Sequence, residues 1–219
     1  MNRTANLVLI SGSLREGSTN TAVVRTLSGL LGDRARPLEY RGMAALPHFN
    51  PDDDIEPLPA EVTRLRRVVA EADAVLFCTP EYAGDLPGSF KNLLDWTVGG
   101  AEIGDKPVGW INASSSPTGA EGAHRALRTV LGYTGARLVE EACVRVPVAR
   151  AAVDAATGTV TDPGVRQALA DVARALVDHV AAGWGPSATE ETTEETTEET
   201  TEETTEGAAG GATGPAVAS

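Results

Sequence analysis

Two short segments that are apolar almost throughout place the strongest constraint on how this chain can fold. Residues 7–10 read LVLI, and residues 74–79 read AVLFCT before a proline. A strand with one face in water alternates polar and apolar residues, whereas a strand buried on both faces of a parallel sheet is apolar along its length. Both segments therefore predict central strands of a sheet covered by helices on both sides.

Helical patterns alternate with these strands and with three further candidates. Residues 37–40, 107–111 and 138–146 predict the other strands, and the intervening segments place apolar residues at helical spacing. The last helix has Asp162 as its N-cap and Pro163 near its first position. Five strands alternating with five helices predict an α/β fold, a three-layer sandwich around a five-stranded parallel sheet. In such sheets ligands bind beyond the carboxyl ends of the strands.

The composition changes abruptly at residue 185. Thr-Thr-Glu-Glu then repeats with a period of four, and Gly, Ala and Pro dominate to residue 219. Like charges four residues apart oppose a helix, and no apolar face can form there. We therefore predict one folded domain over residues 1–184 and a disordered, low-complexity acidic tail over residues 185–219.

The charge of the chain is concentrated in that tail. Nine of the 31 acidic residues lie between positions 190 and 206, and without them the formal net charge changes from -13 to -4. The remainder carries neither a basic surface for nucleic acid nor a polybasic membrane patch. The apolar run at residues 7–10 is too short for a signal sequence or a membrane span, so a cytoplasmic protein is expected. Cys78 and Cys143 lie in apolar runs and are expected in the core.

The loop after the first strand, residues 11–20, reads SGSLREGSTN. It places hydroxyls, an amide and a guanidinium before a helix whose free N–H groups point into the loop, an arrangement that suits a phosphate. The glycine and lysine spacing of a nucleotide-triphosphate loop is absent, as is the dinucleotide glycine pattern. The segment therefore predicts a site for a monoester phosphate, and an ordinary serine-rich capped turn is the alternative.

Two later loops are expected at the same edge of the sheet. Residues 79–88, TPEYAGDLPG, combine an aromatic side chain with a backbone restricted by two prolines, which suits a flat heterocycle. Residues 114–122, SSSPTGAEG, are small enough for a ligand to approach the backbone closely. Together the three loops outline one crevice with a phosphate end and a flat, uncharged end, which is the shape of FMN.

The same loops carry a resemblance to a known family. Residues 12–20, GSLREGSTN, resemble the G-S-L-R-x-x-S-x-N loop of the NADPH-dependent FMN reductases, which are flavodoxin-like proteins. Residues 80–96, PEYAGDLPGSFKNLLDW, are similar to the family segment P-E-Y-N-x-x-x-P-G-x-L-K-N-A-I-D-W. The resemblance covers roughly residues 5–182. Ala83 departs from it, because the family usually has Asn at that position.

The resemblance implies an FMN-containing oxidoreductase in which a hydride passes from NADPH or NADH to the flavin and on to a quinone, a free flavin or a similar small acceptor. No catalytic side chain and no metal is then required, since the cofactor carries the chemistry. The residues expected to bind the cofactor come from the three loops. They are Ser11, Ser13, Arg15, Ser18, Thr19, Asn20, Pro80, Glu81, Tyr82, Ala83, Ser115 and Gly119.

Several alternatives remain open at this point. A flavodoxin-type electron carrier, or a flavin-sensing interaction module, fits the same fold. The three consecutive acids Asp52, Asp53 and Asp54 suggest a metal site, although solvated surface is their commoner role. The family also implies a homodimer or homotetramer, and the large apolar residues of the helix at residues 90–96 are a candidate half of the interface. Arg15 is a candidate contact for the extra phosphate of NADPH.

Overall fold

A computed structural model describes residues 4–183 of the chain. Its centre is a parallel sheet of five strands in the order β2-β1-β3-β4-β5. This is the flavodoxin-like order of doubly wound sheets. The strands are β1 (Ala5–Ser11), β2 (Ala35–Tyr40), β3 (Ala74–Cys78), β4 (Pro107–Asn112) and β5 (Arg137–Arg145). The predicted fold class is confirmed.

Five α-helices connect and cover the strands. They are α1 (Thr19–Leu30), α2 (Ala60–Glu71), α3 (Gly88–Asp95), α4 (Glu121–Tyr133) and α5 (Pro163–Ala181). The predicted cap of α5 is present, because the side chain of Asp162 accepts a hydrogen bond from the N–H of Val165 at 2.8 Å. Ser18 occupies the N-cap position of α1, but its side chain makes no capping bond.

Successive side chains of the central strands point alternately into two hydrophobic cores, one on each face of the sheet. Leu7 and Leu9 of β1 pack with α1 and α5, whereas Val8 and Ile10 pack with α2, α3 and α4. Every residue of β3 is buried. The apolar runs that predicted central strands are therefore the strands that carry both cores.

The edge strands explain the weaker sequence signals. β2 is an edge strand, where Pro37 is tolerated because one side of the strand needs no ladder hydrogen bonds. β5 is the other edge, and its burial is interrupted at Glu140 and Glu141. Its register against β4 shifts next to Gly109, where a β-carbon would lie 2.7 Å from that of Ala142.

The predicted tail at residues 185–219 lies outside the described residues, and the domain boundary at residue 184 stays a prediction. Within residues 4–183, no helix is both long enough and apolar enough to cross a bilayer.

The long connection between β2 and α2 is held against α3. The indole N–H of Trp96 and the side-chain amide of Asn92 both donate to the carbonyl of Pro47 at 2.8 Å, and the N–H of Phe49 donates to the amide oxygen of Asn92 at 2.7 Å. The rings of Phe49 and Trp96 meet edge to face. These contacts fix one end of a connection that has little regular structure.

The large apolar residues of α3 face the core of the same chain. Phe90, Leu93, Leu94 and Trp96 are each at most 1% exposed. These four side chains are therefore not available to a partner subunit, because a period of 3.6 residues identifies an apolar face without showing what covers it. That the helix lies at a subunit interface stays a prediction.

Of the three acids at residues 52–54, only Asp54 differs from the expectation of a solvated surface. Asp52 and Asp53 are exposed, but the carboxylate of Asp54 pairs with the guanidinium of Arg66 at 2.6 Å, and both side chains are only 10% exposed. Arg66 also donates to the carbonyl of Trp96 at 3.0 Å and lies 3.9 Å from the carboxylate of Glu102. The guanidinium thus links α2 to the β2–α2 connection and to the segment between α3 and β4.

Replacing Arg66 is expected to cost much more stability than replacing a surface arginine. Arg66→Ala leaves two poorly solvated carboxylates without their partner, and we expect a loss of about 3 kcal/mol in the free energy of unfolding by urea. The control is Arg174→Ala, because Arg174 pairs with Asp171 in an exposed position. That loss should be about 0.5 kcal/mol. Equal losses would contradict a structural role for the Arg66 cluster.

Candidate flavin site

The carboxyl ends of β1, β3 and β4 meet at one edge of the sheet, where the strand order reverses. Loops diverge at such a point and leave a crevice. A cavity of about 390 Å³ lies here. It is lined by the start of α1, by residues 79–81 after β3, by residues 113–116 after β4 and by Arg150 beyond β5. We call this cavity the central crevice.

A second cavity, of about 400 Å³, lies between the first loop and the end of β2. Arg15 and Arg25 line it together with Glu39 and Arg41, which form an ion pair at 2.5 Å. We call it the β2-side cavity. The two cavities flank the start of α1.

The residues predicted to bind the cofactor divide between these places. The central crevice is lined by Thr19, Asn20, Pro80, Glu81 and Ser115. The β2-side cavity is lined by Ser11, Ser13 and Arg15. Neither cavity is lined by Ser18, Tyr82, Ala83 or Gly119. The structure thus brings the ends of the three loops together without placing every predicted residue in one crevice.

The first loop is held by its own hydroxyls and by β3. The Ser11 hydroxyl accepts from the N–H of Ser13 and lies 3.0 Å from that of Thr21. The N–H of Gly12 donates to the carbonyl of Cys78 at 2.9 Å, and a β-carbon at Gly12 would overlap the side chain of Thr79. The loop therefore passes close to the end of β3 only because residue 12 is glycine. It ends on the free N–H groups of the first turn of α1.

Asn20 is oriented by a buried thiol. Cys78 is 1% exposed, and its Sγ donates to the side-chain oxygen of Asn20 at 3.3 Å. Burial raises the pKa of the Cys78 thiol well above its usual range, so the donor stays protonated at neutral pH. The bond occupies the amide oxygen of Asn20 and leaves its N–H groups as donors at the wall of the central crevice.

Glu81 connects the second loop to the third. Its carboxylate accepts from the N–H of Ala123 at 3.0 Å, in the first turn of α4. A negative charge is favourable at that helix end. Gly122 lies against the carbonyl of Gly84, with no room for a β-carbon. The second loop is therefore fixed to the start of α4.

The third loop is braced by two side chains that the sequence analysis did not single out. The amide of buried Asn112 donates to the carbonyl of Gly119 and accepts from the N–H of Ser114 at 3.1 Å. The guanidinium of Arg145 donates to the carbonyl of Ser116 at 2.6 Å. The available signal was a polar residue at the last position of each strand.

Among residues 4–183, no three or more His, Cys, Asp or Glu side chains lie close enough together to hold a metal ion.

Comparison with known proteins agrees with this geometry. Residues 5–151 match the family described as NADPH-dependent FMN reductase. The chain belongs to this family. It is 32% identical over 169 residues to an NAD(P)H-dependent FMN reductase from Pseudomonas aeruginosa, covering 76% of this chain and 90% of that one. It is 30% identical over 167 residues to a quinone reductase from Escherichia coli K12, covering 75% and 89%.

A solved structure of the same kind has a similar fold. FerB, a flavoenzyme NAD(P)H:(acceptor) oxidoreductase from Paracoccus denitrificans, aligns with a TM-score of 0.68 and 30% identity. The alignment covers 81% of this chain and 97% of that chain. The chain described here therefore has the fold and the family of NAD(P)H-dependent FMN oxidoreductases.

The segment at residues 80–96 that carries the family resemblance has two separate structural roles. Its first residues, Pro80 and Glu81, line the central crevice. Its last residues, Asn92 and Trp96, hold Pro47 and lie away from the crevice. The family segment therefore contributes both to the wall of the central crevice and to the contacts that hold the β2–α2 connection.

The departure from the family at Ala83 lies in a two-residue turn. The N–H and C=O groups of Tyr82 and Asp85 pair reciprocally at 3.0 and 3.1 Å, with Ala83 at φ 52° and Gly84 at φ 81° between them. Such turns favour Asn-Gly, because Asn tolerates the left-handed conformation better than Ala. The Asn that is usual in the family therefore has a backbone explanation that requires no contact with the flavin.

Restoring the usual turn residue is expected to stabilise the protein. Ala83→Asn and Ala83→Gly should each raise the free energy of unfolding by about 1 kcal/mol, and the melting temperature by about 2–4 °C. The control is Ala70→Gly on the exposed face of α2, which should lower stability by about 1 kcal/mol. A loss of stability in Ala83→Gly would show that the backbone at this position is not strained.

His124 supports the start of α4 from below. It is 8% exposed, and its Nδ1 lies 2.9 Å from the carbonyl of Ala120, a residue with φ 54°. The ring is tilted against Trp110 at 6.3 Å. Burial lowers the pKa of His124 from its usual 6.5, opposed by hydrogen bonding to Ala120 and by the charge of Glu81. The neutral imidazole is the form that the fold favours.

The burial of His124 should make the free energy of unfolding depend on pH. Because the native pKa lies below 6.5, only the unfolded chain takes up the proton as the pH first falls below that value, so the native state loses stability there. Above pH 6.5 the stability that depends on the neutral form of His124 is fully present. Between pH 7.5 and pH 5.5, the free energy of unfolding should fall less for His124→Gln than for the wild type. The difference between the two should be at most about 1.4 kcal/mol per pH unit. Urea unfolding at both values measures this, and parallel curves would contradict it.

Proposed function

We propose that this chain binds FMN in the central crevice and passes electrons from NADPH or NADH to a quinone, a free flavin or a similar small acceptor. The observation that carries the proposal is the crevice itself. It joins the free N–H groups at the start of α1 to the loops after β3 and β4, at the point where doubly wound sheets bind flavin. The names of the family and of the curated relatives supply the reaction class.

The residues of the crevice fit FMN. Thr19, Asn20 and the first turn of α1 offer donors for a phosphate. The loop at residues 79–81 and Ser115 offer an uncharged hydroxyl and a proline-restricted backbone for a flat ring. Tyr82, the next residue in the chain after Glu81, is 50% exposed. Six further predicted residues do not line the central crevice, and their direct contacts with FMN are part of the proposal. They are Ser11, Ser13, Arg15, Ser18, Ala83 and Gly119.

When bound, FMN supplies the hydride and electron chemistry. The protein's task is then to bind, orient and enclose. Two charged side chains line the described part of the crevice, and one of them, Glu81, already accepts the N–H of Ala123. The thiol of Cys78 holds Asn20 in place, and Asn112 and Arg145 hold the third loop. These contacts keep the walls of the crevice fixed while two different substrates exchange at its open side.

The decisive experiment compares binding with turnover. The purified full-length chain should show the visible spectrum of a flavoprotein, or bind added FMN, and should oxidise NADPH or NADH steadily when a quinone is present. A protein that holds FMN but does not oxidise either nicotinamide would be a flavodoxin-type carrier instead. A protein that neither binds FMN nor oxidises a nicotinamide would refute the proposal.

A bulky residue in the crevice should abolish flavin binding without unfolding the protein. Ser115 lines the crevice and is exposed, so Ser115→Trp places an indole in the proposed path of the ring. We expect FMN affinity to fall at least about tenfold, with an unchanged melting temperature in the absence of flavin. Ala70→Trp on the exposed face of α2 is the control. Equal FMN affinity in both variants would place the flavin elsewhere.

We also propose that the protein is a homodimer or homotetramer in the cytoplasm, as the family resemblance implies. The two described cysteines, Cys78 and Cys143, are free thiols, which is typical of a reducing compartment. A groove of about 520 Å³ between α3 and α4, lined by Gly88, Lys91 and Ala126, is a candidate contact surface. Sedimentation of the wild type and of Ala126→Glu would test it, because a charge in a buried interface should favour monomers.

A further inference from the structure

Arg150 lies at the rim of the central crevice because the chain continues to follow β4 after β5 ends. The N–H of Val146 donates to the carbonyl of Asn112 at 2.9 Å, and the N–H of Val148 donates to that of Ala113 at 3.1 Å. Val148 is 2% exposed. Two residues later Arg150 begins a short 3₁₀ turn, Arg150–Ala152, and lines the crevice. Its position is therefore set by backbone pairing and a buried neighbour.

The guanidinium of Arg150 is available to a ligand. Within residues 4–183 it makes no ion pair and no hydrogen bond to another residue, whereas Arg145 uses its guanidinium to hold the carbonyl of Ser116. Arg15, the arginine of the loop motif, lines the β2-side cavity and not the central crevice. Arg150 is thus the cation that the described residues place in the crevice.

The two charged side chains of the crevice belong to segments that are anchored on opposite faces of the sheet. Val148 packs in the core with α1 and α5, and Arg150, two residues later, lines the crevice together with Thr19 and Asn20. The carboxylate of Glu81 belongs to the other side, where it is bound to the first turn of α4. A phosphate dianion is favoured by the helix N-terminus and the guanidinium and disfavoured by the carboxylate. This arrangement favours a ligand whose anionic end lies beside α1.

We propose that Arg150 is a binding residue that pairs with the phosphate of FMN, in addition to the donors of the first loop. This inference rests on the proposed function. It differs from that proposal in naming a residue outside the three loops, on the connection between β5 and α5. It implies that the phosphate is held partly by charge and not by hydroxyl and backbone donors alone.

The test compares FMN with riboflavin, which has the same ring and no phosphate. The full-length chain, freed of flavin, is titrated with each by fluorescence quenching. Arg150→Gln should weaken FMN about tenfold or more and leave riboflavin unchanged. Arg150→Lys should retain part of the FMN affinity. Added salt should weaken FMN binding to the wild type more than binding to Arg150→Gln, because screening acts on the charge pair.

The control removes the same charge from the opposite edge of the sheet. Arg36→Gln, in the exposed second position of β2, should bind both flavins like the wild type. Arg15→Gln tests the motif arginine directly. Unchanged FMN affinity in Arg150→Gln, or an equal loss for FMN and riboflavin in that variant, would overturn the inference. A wild-type chain that binds neither flavin would refute the proposed function itself, which the first titration reveals before any variant is examined.

Discussion

The parallel pairing of β1 with β3 is the constraint on which the rest of the structure depends. Leu7 to Ser11 run beside Ala74 to Cys78 in continuous register, and both strands are shielded by helices on both faces. The pairing extends one residue further, where the N–H of Gly12 meets the carbonyl of Cys78. That contact brings the first loop against the second and places the thiol of Cys78 under Asn20. The crevice exists because two strands distant in sequence end at the same height.

The loops around the crevice are held in place by contacts with neighbouring helices and strands. Glu81 caps α4, Asn112 and Arg145 hold the third loop, and His124 fills the space beneath the first turn of α4. Glu81 joins a loop to α4, and Asn112 and Arg145 each join a strand to the third loop, so the crevice wall is a network and not a set of separate turns. Such positioning serves a flavin enzyme, in which the cofactor carries the chemistry and the protein supplies orientation and electrostatics.

The family segment at residues 80–96 shows how one stretch of sequence can combine stability and binding. Its Asn92 and Trp96 hold the carbonyl of Pro47, and the connection that begins there leads to the buried pair of Asp54 and Arg66. Arg66 in turn binds the carbonyl of Trp96. The loop that lines the crevice and the helix that anchors the longest connection are therefore consecutive in the chain, and only part of the family motif lines the crevice.

The sequence by itself determined the fold class, the five strands and helices, the cap of α5 and the three loops at the carboxyl edge, because burial on both faces leaves an apolar run and turns leave Gly and Pro. Only the tertiary structure decided which side of the first loop each side chain faces, that Asp54 is paired, and that the large residues of α3 lie in their own core. It also decided that Asn112, Arg145 and Arg150 reach the site. The reason is physical: periodicity records the burial of a residue, whereas a partner distant in sequence is chosen by strand register and packing.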